Sequence, residues 1–139
     1  MAMIPPTATK QEAKVRIGKD GKPHWYPSES WSKAESTLTA HLDRFKPKEP
    51  IRGPVMLEVL WCFPKDGKPD GTPYTKKPDT DNLDKGLKDI MTRLGWWVDD
   101  AQVFSELIVK VHSRVPGIRI DIHEPYGLDE QGGDEDDRA

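Results

Sequence analysis

The chain has 139 residues, 35% of them hydrophobic, with 21 Lys and Arg against 24 Asp and Glu and one cysteine, Cys62. This length predicts one main domain, and the longest apolar stretch, residues 54–64, is about half of what a bilayer crossing needs, which excludes a transmembrane helix. The lone cysteine excludes an internal disulfide and a zinc knuckle, and without a secretory apolar segment after Met1 we expect a cytoplasmic protein.

The negative charge is concentrated at the C-terminus. Residues 124–139 hold seven acidic side chains and one basic one, which leaves 20 basic and 17 acidic side chains in residues 1–123. We predict a domain over residues 1–123 and a disordered acidic tail over residues 124–139, because so short an acidic run has too little apolar surface to fold. The tail is either a solubility appendage, or it competes with an anionic ligand for the basic part of the domain or docks a partner.

The first dozen residues have no periodicity and predict an arm or one irregular edge strand. Residues 13–17 and 24–26 then flank an Asp20-Gly21 step, which is a strong turn signal and predicts a β-hairpin. The hairpin carries a basic cluster, which on composition alone is more often a solvated ribbon than a nucleic-acid grip: Lys14, Arg16, Lys19 and Lys22.

A helix follows, capped by Ser28 or Ser30 and ended by Pro47. Four apolar residues have the spacing of one helical face: Trp31, Leu38, Leu42 and Phe45. Residues 54–63 alternate in polarity and predict a central strand. Its strongly apolar face is formed by Val55, Leu57, Val59, Trp61 and Phe63.

Residues 64–78 form a long loop rich in Gly, Pro and Lys, and loops of this length in compact domains are usually functional or disordered. Asp81 is the predicted N-cap of a second helix, which Gly95 ends. The apolar face of this helix is formed by Leu83, Leu87, Ile90 and Leu94. Strands are predicted over residues 103–112 and 118–123, and the short turn between them predicts antiparallel neighbours.

Acidic residues are dense around the second helix: Asp79, Asp81, Asp84 and Asp89 belong to it or to its lead-in, and Asp99 and Asp100 follow it. We expect Asp79 and Asp81 to point to one side, and the chain reversal at Gly95 to bring Asp99 or Asp100 back alongside them. Converging carboxylates repel one another unless a cation lies between them, and all-oxygen ligation suits Mg²⁺ or Mn²⁺. Lys85, one turn after Asp81, would then neutralise a carboxylate or contact a phosphate.

Simpler explanations account for part of this density. An N-cap role explains Asp81 and leaves the other acids unexplained. An EF-hand is rejected, because Leu83 stands where a ligand is needed and Asp84 where the loop requires Gly. A phosphatase-like Asp-x-Asp should end a hydrophobic strand, whereas Lys76, Lys77 and Pro78 precede Asp79. The spacing therefore favours a divalent-metal site.

Residues 76–111, KKPDTDNLDKGLKDIMTRLGWWVDDAQVFSELIVKV, resemble the signature of the RusA-type Holliday-junction resolvases, which are phage and prophage endonucleases. The shared elements are a basic lead-in, Asp-x-Asp-Asn-Leu-x-Lys, a helix with a further Asp, and Asp-Asp-x-Gln-Val opening a strand. The resemblance implies an α/β (α+β) fold in which two main helices pack against a small mixed β-sheet. It also implies a homodimer that uses Mg²⁺, with Mn²⁺ as a substitute, to nick two opposed strands of a four-way DNA junction.

Carried over to this chain, the resemblance implies that Asp79, Asp81 and Asp100 bind the metal and act in catalysis. Asp99 would lie close by as a further ligand, and Lys85 would be the catalytic lysine. Asn82 and Gln102 would support the site. Asp89 is either a partner of Lys85 or part of a solvated helix face.

DNA affinity must come from phosphate contacts, because recognition of a junction depends mostly on shape and charge. The long loop offers Lys65, Lys68, Lys76 and Lys77, and the hairpin offers Lys14, Arg16, Lys19 and Lys22. Tyr74, Trp25 and Tyr26 are candidates for stacking on an unpaired base at the crossover. For Trp25, packing in the core or on the surface is favoured. We expect at least one of Trp96 and Trp97 in the core, with the other a candidate for a dimer interface.

The favoured function is thus a metal-dependent resolvase of four-way or otherwise branched DNA, acting in recombination and repair. A branched-DNA binding protein without useful cleavage is the first alternative, but such a protein gains nothing from concentrated negative charge near phosphate. A nuclease acting on flaps or forks is the second.

Overall fold

The structure is a computed structural model and describes residues 1–126, so that the predicted acidic tail lies outside the described residues from residue 127 onward. Two helices pack with a small mixed β-sheet, which confirms the predicted fold class. Within the described residues, no helix has the length and apolarity that a membrane crossing requires. The elements in chain order are β1 (Lys14–Ile17), β2 (Pro23–Tyr26), α1 (Glu29–Phe45), β3 (Val55–Pro64), α2 (Thr80–Leu94), a 3-10 turn (Asp100–Gln102), β4 (Val103–Ser113) and β5 (Gly117–His123).

The main sheet has the strand order β4-β3-β5, with β3 parallel to β4 and antiparallel to β5. The central position of β3 is confirmed, and its predicted apolar face is fully buried. The prediction that β4 and β5 are neighbours is wrong, because β3 lies between them. Two strand spacings amount to about 10 Å, which the short segment 114–116 can cross over the end of β3.

Helix α1 begins as predicted. Ser28 is extended and its Oγ accepts a hydrogen bond from the backbone N–H of Trp31 at 3.0 Å. Trp31, Leu38 and Leu42 are buried, but Phe45 is 61% exposed. Phe45 lies at the last turn of α1 on the border of an open groove of about 410 Å³, and the guanidinium of Arg44 lies over its ring at 5.7 Å.

Helix α2 begins two residues earlier than predicted. Asp79 occupies the N-cap position, and its carbonyl oxygen accepts the first helical hydrogen bond, from Leu83 N–H at 3.1 Å. Asp81 therefore lies in the first turn, where its charge interacts favourably with the helix dipole. Gly95 ends the helix with a φ of 86°, as the sequence predicted.

The two helices meet where Gly86 of α2 faces Trp31 of α1. A Cβ atom on Gly86 would lie 2.8 Å from Trp31 Cη2, inside van der Waals contact. Because the Trp31 ring is buried, it has little room to move aside. Close approach of the helices thus requires glycine at this position.

Gly86→Ala is expected to lower the free energy of unfolding by about 1 kcal/mol, because overpacking a buried ring outweighs the gain in helix propensity. Urea denaturation measures this change. In a Trp31→Phe background the same substitution should be neutral or stabilising, since the clashing ring atom is absent. A stabilising effect of Gly86→Ala in the unmodified chain would contradict the proposed contact.

The N-terminal arm packs on the domain. The Met1 ammonium donates to the Ile118 carbonyl at 2.7 Å, and Ile118 N–H donates to the Met1 carbonyl at 3.0 Å. Ala8 and Thr9 are buried, and Lys10 Nζ lies 2.9 Å from Asp89 Oδ2 on α2. The arm therefore connects β5 with α2 before the chain enters β1.

Strands β1 and β2 form a separate two-stranded ribbon, which confirms the predicted hairpin. Every residue of both strands is exposed. Core packing, one of the two kinds of packing favoured for Trp25, is therefore wrong, because its side chain is 71% exposed. An aromatic residue in a strand is usually half-buried, but this ribbon has no sheet face turned to the core.

Candidate active site and nucleic-acid interface

The first turns of α2 present four of the predicted site residues together. Asp79, Asp81 and Lys85 are exposed and Asn82 is half-buried. The preceding segment is held by β4, because Lys110 Nζ donates to the carbonyl oxygens of Lys76 at 2.8 Å and Pro78 at 2.7 Å. The strand thus fixes the position of the start of α2 and of the carboxylates there.

A small groove of about 200 Å³ lies beside Asp79 and Asn82. Four residues of the arm line its other side: Thr7, Thr9, Gln11 and Glu12. Sequence reasoning missed these arm residues, because the arm has no periodicity that would place it against α2. The arm residue Glu12 therefore borders the same groove as Asp79.

Asp99 and Asp100 lie in the turn after α2. Asp99 caps the 3-10 turn, since its Oδ1 accepts from Ala101 N–H at 2.9 Å. Gln102 Oε1 accepts from Val98 N–H and Asp99 N–H, and its Nε2 donates to the carbonyl oxygens of Ile51 and Gly53, all at 2.9 Å. Gln102 thus anchors the turn that carries both carboxylates.

One chain does not bring the two acidic groups together, contrary to the expected convergence. Helix α2 has 15 residues and is about 22 Å long, and Gly95 reverses the chain at its far end. Only four residues separate Gly95 from Asp100, too few to return the chain to the helix N-terminus. Among residues 1–126, no group of three or more Asp, Glu, His or Cys side chains is close enough to hold a metal ion.

The carboxylates nevertheless have the chemistry of Mg²⁺ ligands. None of the ion pairs among residues 1–126 involves Asp79, Asp81, Asp99 or Asp100. The same is true of Lys85. Mg²⁺ commonly uses one or two carboxylates together with waters and substrate phosphates. Exposed, unpaired carboxylates at the start of α2 therefore fit such an ion.

A buried polar cluster joins α2 to β4. Asp84 is only 4% exposed, and Lys88 Nζ lies 3.4 Å from its Oδ2 and 3.1 Å from Glu106 Oε2. Asp84 Oδ1 has no hydrogen-bond partner among the described residues. Burial, reinforced by a hydrogen bond with Glu106 and opposed by Lys88, raises the pKa of Asp84 to about 6. The cluster links α2 to β4, a role that the sequence did not indicate.

Asp89 is neither a partner of Lys85 nor part of a fully solvated helix face. Its carboxylate pairs with Lys10 of the arm, not with Lys85. An exposed pair of this kind contributes at most about 1 kcal/mol, so that it guides the arm more than it stabilises the fold.

The predicted DNA-binding lysines lie on two exposed surfaces. Lys65, Lys68, Lys76 and Lys77 are exposed in the long loop, where Lys76 Nζ lies 3.1 Å from Asp66 Oδ2. The four basic residues of the ribbon are exposed as well. Tyr74 is stacked on Phe63 with ring centroids 4.0 Å apart, so one face of its ring is already covered. The expectation for the tryptophan pair is confirmed by Trp97, which is buried.

Comparisons with known proteins find matches over most of the chain. A family model described as "Endodeoxyribonuclease RusA" matches residues 4–123, which include the arm, the ribbon, both helices and the main sheet. The chain is also similar to "Crossover junction endodeoxyribonuclease rusA" of Lactococcus phage r1t, with 35% identity over 91 residues. The aligned part covers 63% of this chain and 70% of the relative.

Proposed function

Because the chain belongs to the RusA family of endodeoxyribonucleases, we propose that it is a metal-dependent, structure-specific nuclease that resolves four-way DNA junctions by paired symmetric nicks in recombination and repair. The family match over residues 4–123 carries this proposal. The unpaired carboxylates at the start of α2 support its chemical part, because concentrated negative charge would weaken a protein that only binds phosphate.

Asp79 and Asp81, with Asp99 and Asp100, would hold Mg²⁺, for which Mn²⁺ can substitute. When bound, such an ion acts as a Lewis acid on the scissile phosphate. Lys85 lies one helical turn after Asp81, from where its ammonium group would contact the same phosphate. Asn82 and Gln102 would support the two carboxylate groups, Gln102 through its hydrogen bonds in the turn after α2.

A homodimer would resolve the separation of the two carboxylate groups. If a second copy lies with its α2 reversed, the Asp99 and Asp100 of one subunit come near the Asp79 and Asp81 of the other. The segment from Val98 into β4 suits such an interface, because three apolar residues along it are more than half exposed: Val98, Phe104 and Leu107. A two-fold dimer also matches the two-fold symmetry of paired nicks.

The test is cleavage of an end-labelled mobile four-way junction beside a matched linear duplex, in Mg²⁺, Mn²⁺ or EDTA, with Asp100→Asn as the inactive control. We expect paired, symmetric, metal-dependent nicks in the junction alone. Tight junction binding without nicks in any metal would instead indicate a binding protein. Preferential cutting of flaps or forks, or cutting of the linear duplex, would contradict the resolvase assignment.

A further inference from the structure

The exposed ribbon has two chemically different faces. The cross-strand pairs are Lys14 with Tyr26, Val15 with Trp25, Arg16 with His24 and Ile17 with Pro23. Since side chains alternate along each strand, one face carries Lys14, Arg16, His24 and Tyr26. The other face is apolar and carries Val15, Ile17, Pro23 and Trp25. Ile17 and Trp25 are each 71% exposed, so this apolar face has no cover within the described residues.

The charge of the ribbon indicates a polyanionic occupant. Residues 13–28 contain four Lys and Arg and a single acid, Asp20. Asp20 is already engaged, because its carboxylate accepts from Lys22 N–H at 3.0 Å and lies 3.1 Å from His24 Nε2. Arg16 lies over the Tyr26 ring at 5.7 Å and, like the three lysines, has no ion-pair partner among residues 1–126.

A branched nucleic acid offers what both faces require. Phosphates attract the cations in any DNA, but a linear duplex hides the faces of its bases in the stack. At a branch point, unstacked bases become accessible to an aromatic ring. We propose that the ribbon inserts its Trp25 face at the branch point of the junction, while its basic face contacts the flanking phosphates.

The position of the ribbon connects this contact with the candidate active site. Glu12 borders the groove beside Asp79, and β1 begins two residues later at Lys14. Two residues span at most about 7 Å, so a branch point held on the ribbon lies close to the start of α2. The inference rests on the proposed function and adds the element that distinguishes branched from linear DNA.

The experiment measures binding of the full chain to a four-way junction and to a matched linear duplex by fluorescence anisotropy in EDTA, without cleavage. A second readout is the fluorescence of 2-aminopurine placed at the branch point. Trp25→Ala and Trp25→Val are expected to lower the ratio of junction to duplex affinity about tenfold, and Trp25→Phe to keep most of it. The valine variant retains a strand-forming residue, so that loss of the ring is separated from loss of the ribbon.

Two controls separate stacking from charge and from general hydrophobicity. Lys22→Ala should weaken binding to junction and duplex by the same factor, because a phosphate contact carries no shape information. Phe45→Ala removes an equally exposed aromatic ring elsewhere and should change neither affinity.

An unchanged affinity ratio for Trp25→Val, or 2-aminopurine fluorescence that does not respond to the unmodified chain, would overturn the proposal while leaving the nuclease assignment intact. A shift in sedimentation of Trp25→Val without a change in the ratio would assign the apolar face to self-association and would also overturn it. If the unmodified chain binds no junction, the proposed function and this inference both fail.

Discussion

Asp81→Asn is expected to reduce junction cleavage on the order of a thousandfold while leaving junction binding intact or tighter, because a metal ion contributes several kcal/mol to catalysis. Asparagine keeps the shape of the side chain and removes the charge that would hold the ion. The negative charge facing the DNA falls as well, which accounts for equal or tighter binding. Cleavage of an end-labelled junction in Mg²⁺ and anisotropy in EDTA measure the two effects separately.

The matched control for this substitution is Asp43→Asn. Asp43 is an exposed acid on α1, where it pairs with Lys46 at 3.0 Å, far along the chain from the predicted metal ligands. The Asp43→Asn variant should retain both junction cleavage and junction binding. If Asp81→Asn loses binding in parallel with cleavage, or keeps normal cleavage, Asp81 has no metal-catalytic role.

The stability of Asp84→Asn relative to the unmodified chain is expected to rise by about 2 kcal/mol between pH 4 and pH 7. The folded state raises the pKa of Asp84 from 3.8 to about 6, so between these values it binds more protons than the unfolded state does. The titration of Asp84 therefore lowers the stability of the unmodified chain as the pH rises through this window, with the full loss present above about pH 6. Asparagine does not titrate and escapes this loss.

Urea denaturation of both proteins from pH 4 to pH 8 measures the difference. Loss of the contact with Lys88 changes the free energy of unfolding of the Asp84→Asn variant by a constant amount. The titration of Asp84, in contrast, makes the difference between the two proteins change with pH. Asp43→Asn serves as the control, because its carboxylate is exposed. A separation that does not change with pH would show that Asp84 titrates normally and is not desolvated.

Local signals in the sequence predicted the elements well. The Asp20-Gly21 step placed the hairpin turn, the two cap candidates Ser28 and Ser30 placed the start of α1, and alternation identified β3 as a central strand. Each of these features depends on residues close in sequence, whose turn, cap or face is decided by local sterics and hydrogen bonds.

Features that depend on distant contacts were missed. A short turn between two strands normally joins neighbours, and only the insertion of β3 from earlier in the chain separates β4 from β5. Tryptophan is a residue type that is usually buried, but the strand of Trp25 pairs only with the other strand of the ribbon and packs on no core. Asp84 stands in a charged motif, and nothing local reveals that β4 covers it.

The candidate site divides in the same way. The grouping of Asp79, Asp81 and Lys85 follows from their spacing on one helix and was predictable. The separation between Asp79 and Asp100 follows from the length of α2, which the sequence also predicted. The reversal at Gly95, however, does not return the chain to the start of the helix. The position of Glu12 beside the groove at Asp79 was not predictable, because it depends on how an aperiodic arm packs.

Two segments attach the ribbon to the domain, one before Lys14 and one after Tyr26, and we call them its roots. They differ in strength, so the ribbon has the mechanics of a hinged arm. One root passes from Lys14 back to Lys10, whose exposed ion pair with Asp89 contributes at most about 1 kcal/mol. The other root runs from Tyr26 into the buried Ser28 cap of α1. A load on the ribbon tip would release the Lys10 root first and rotate the ribbon about residues 26–28, while α1 and the buried arm residues Ala8 and Thr9 stay seated.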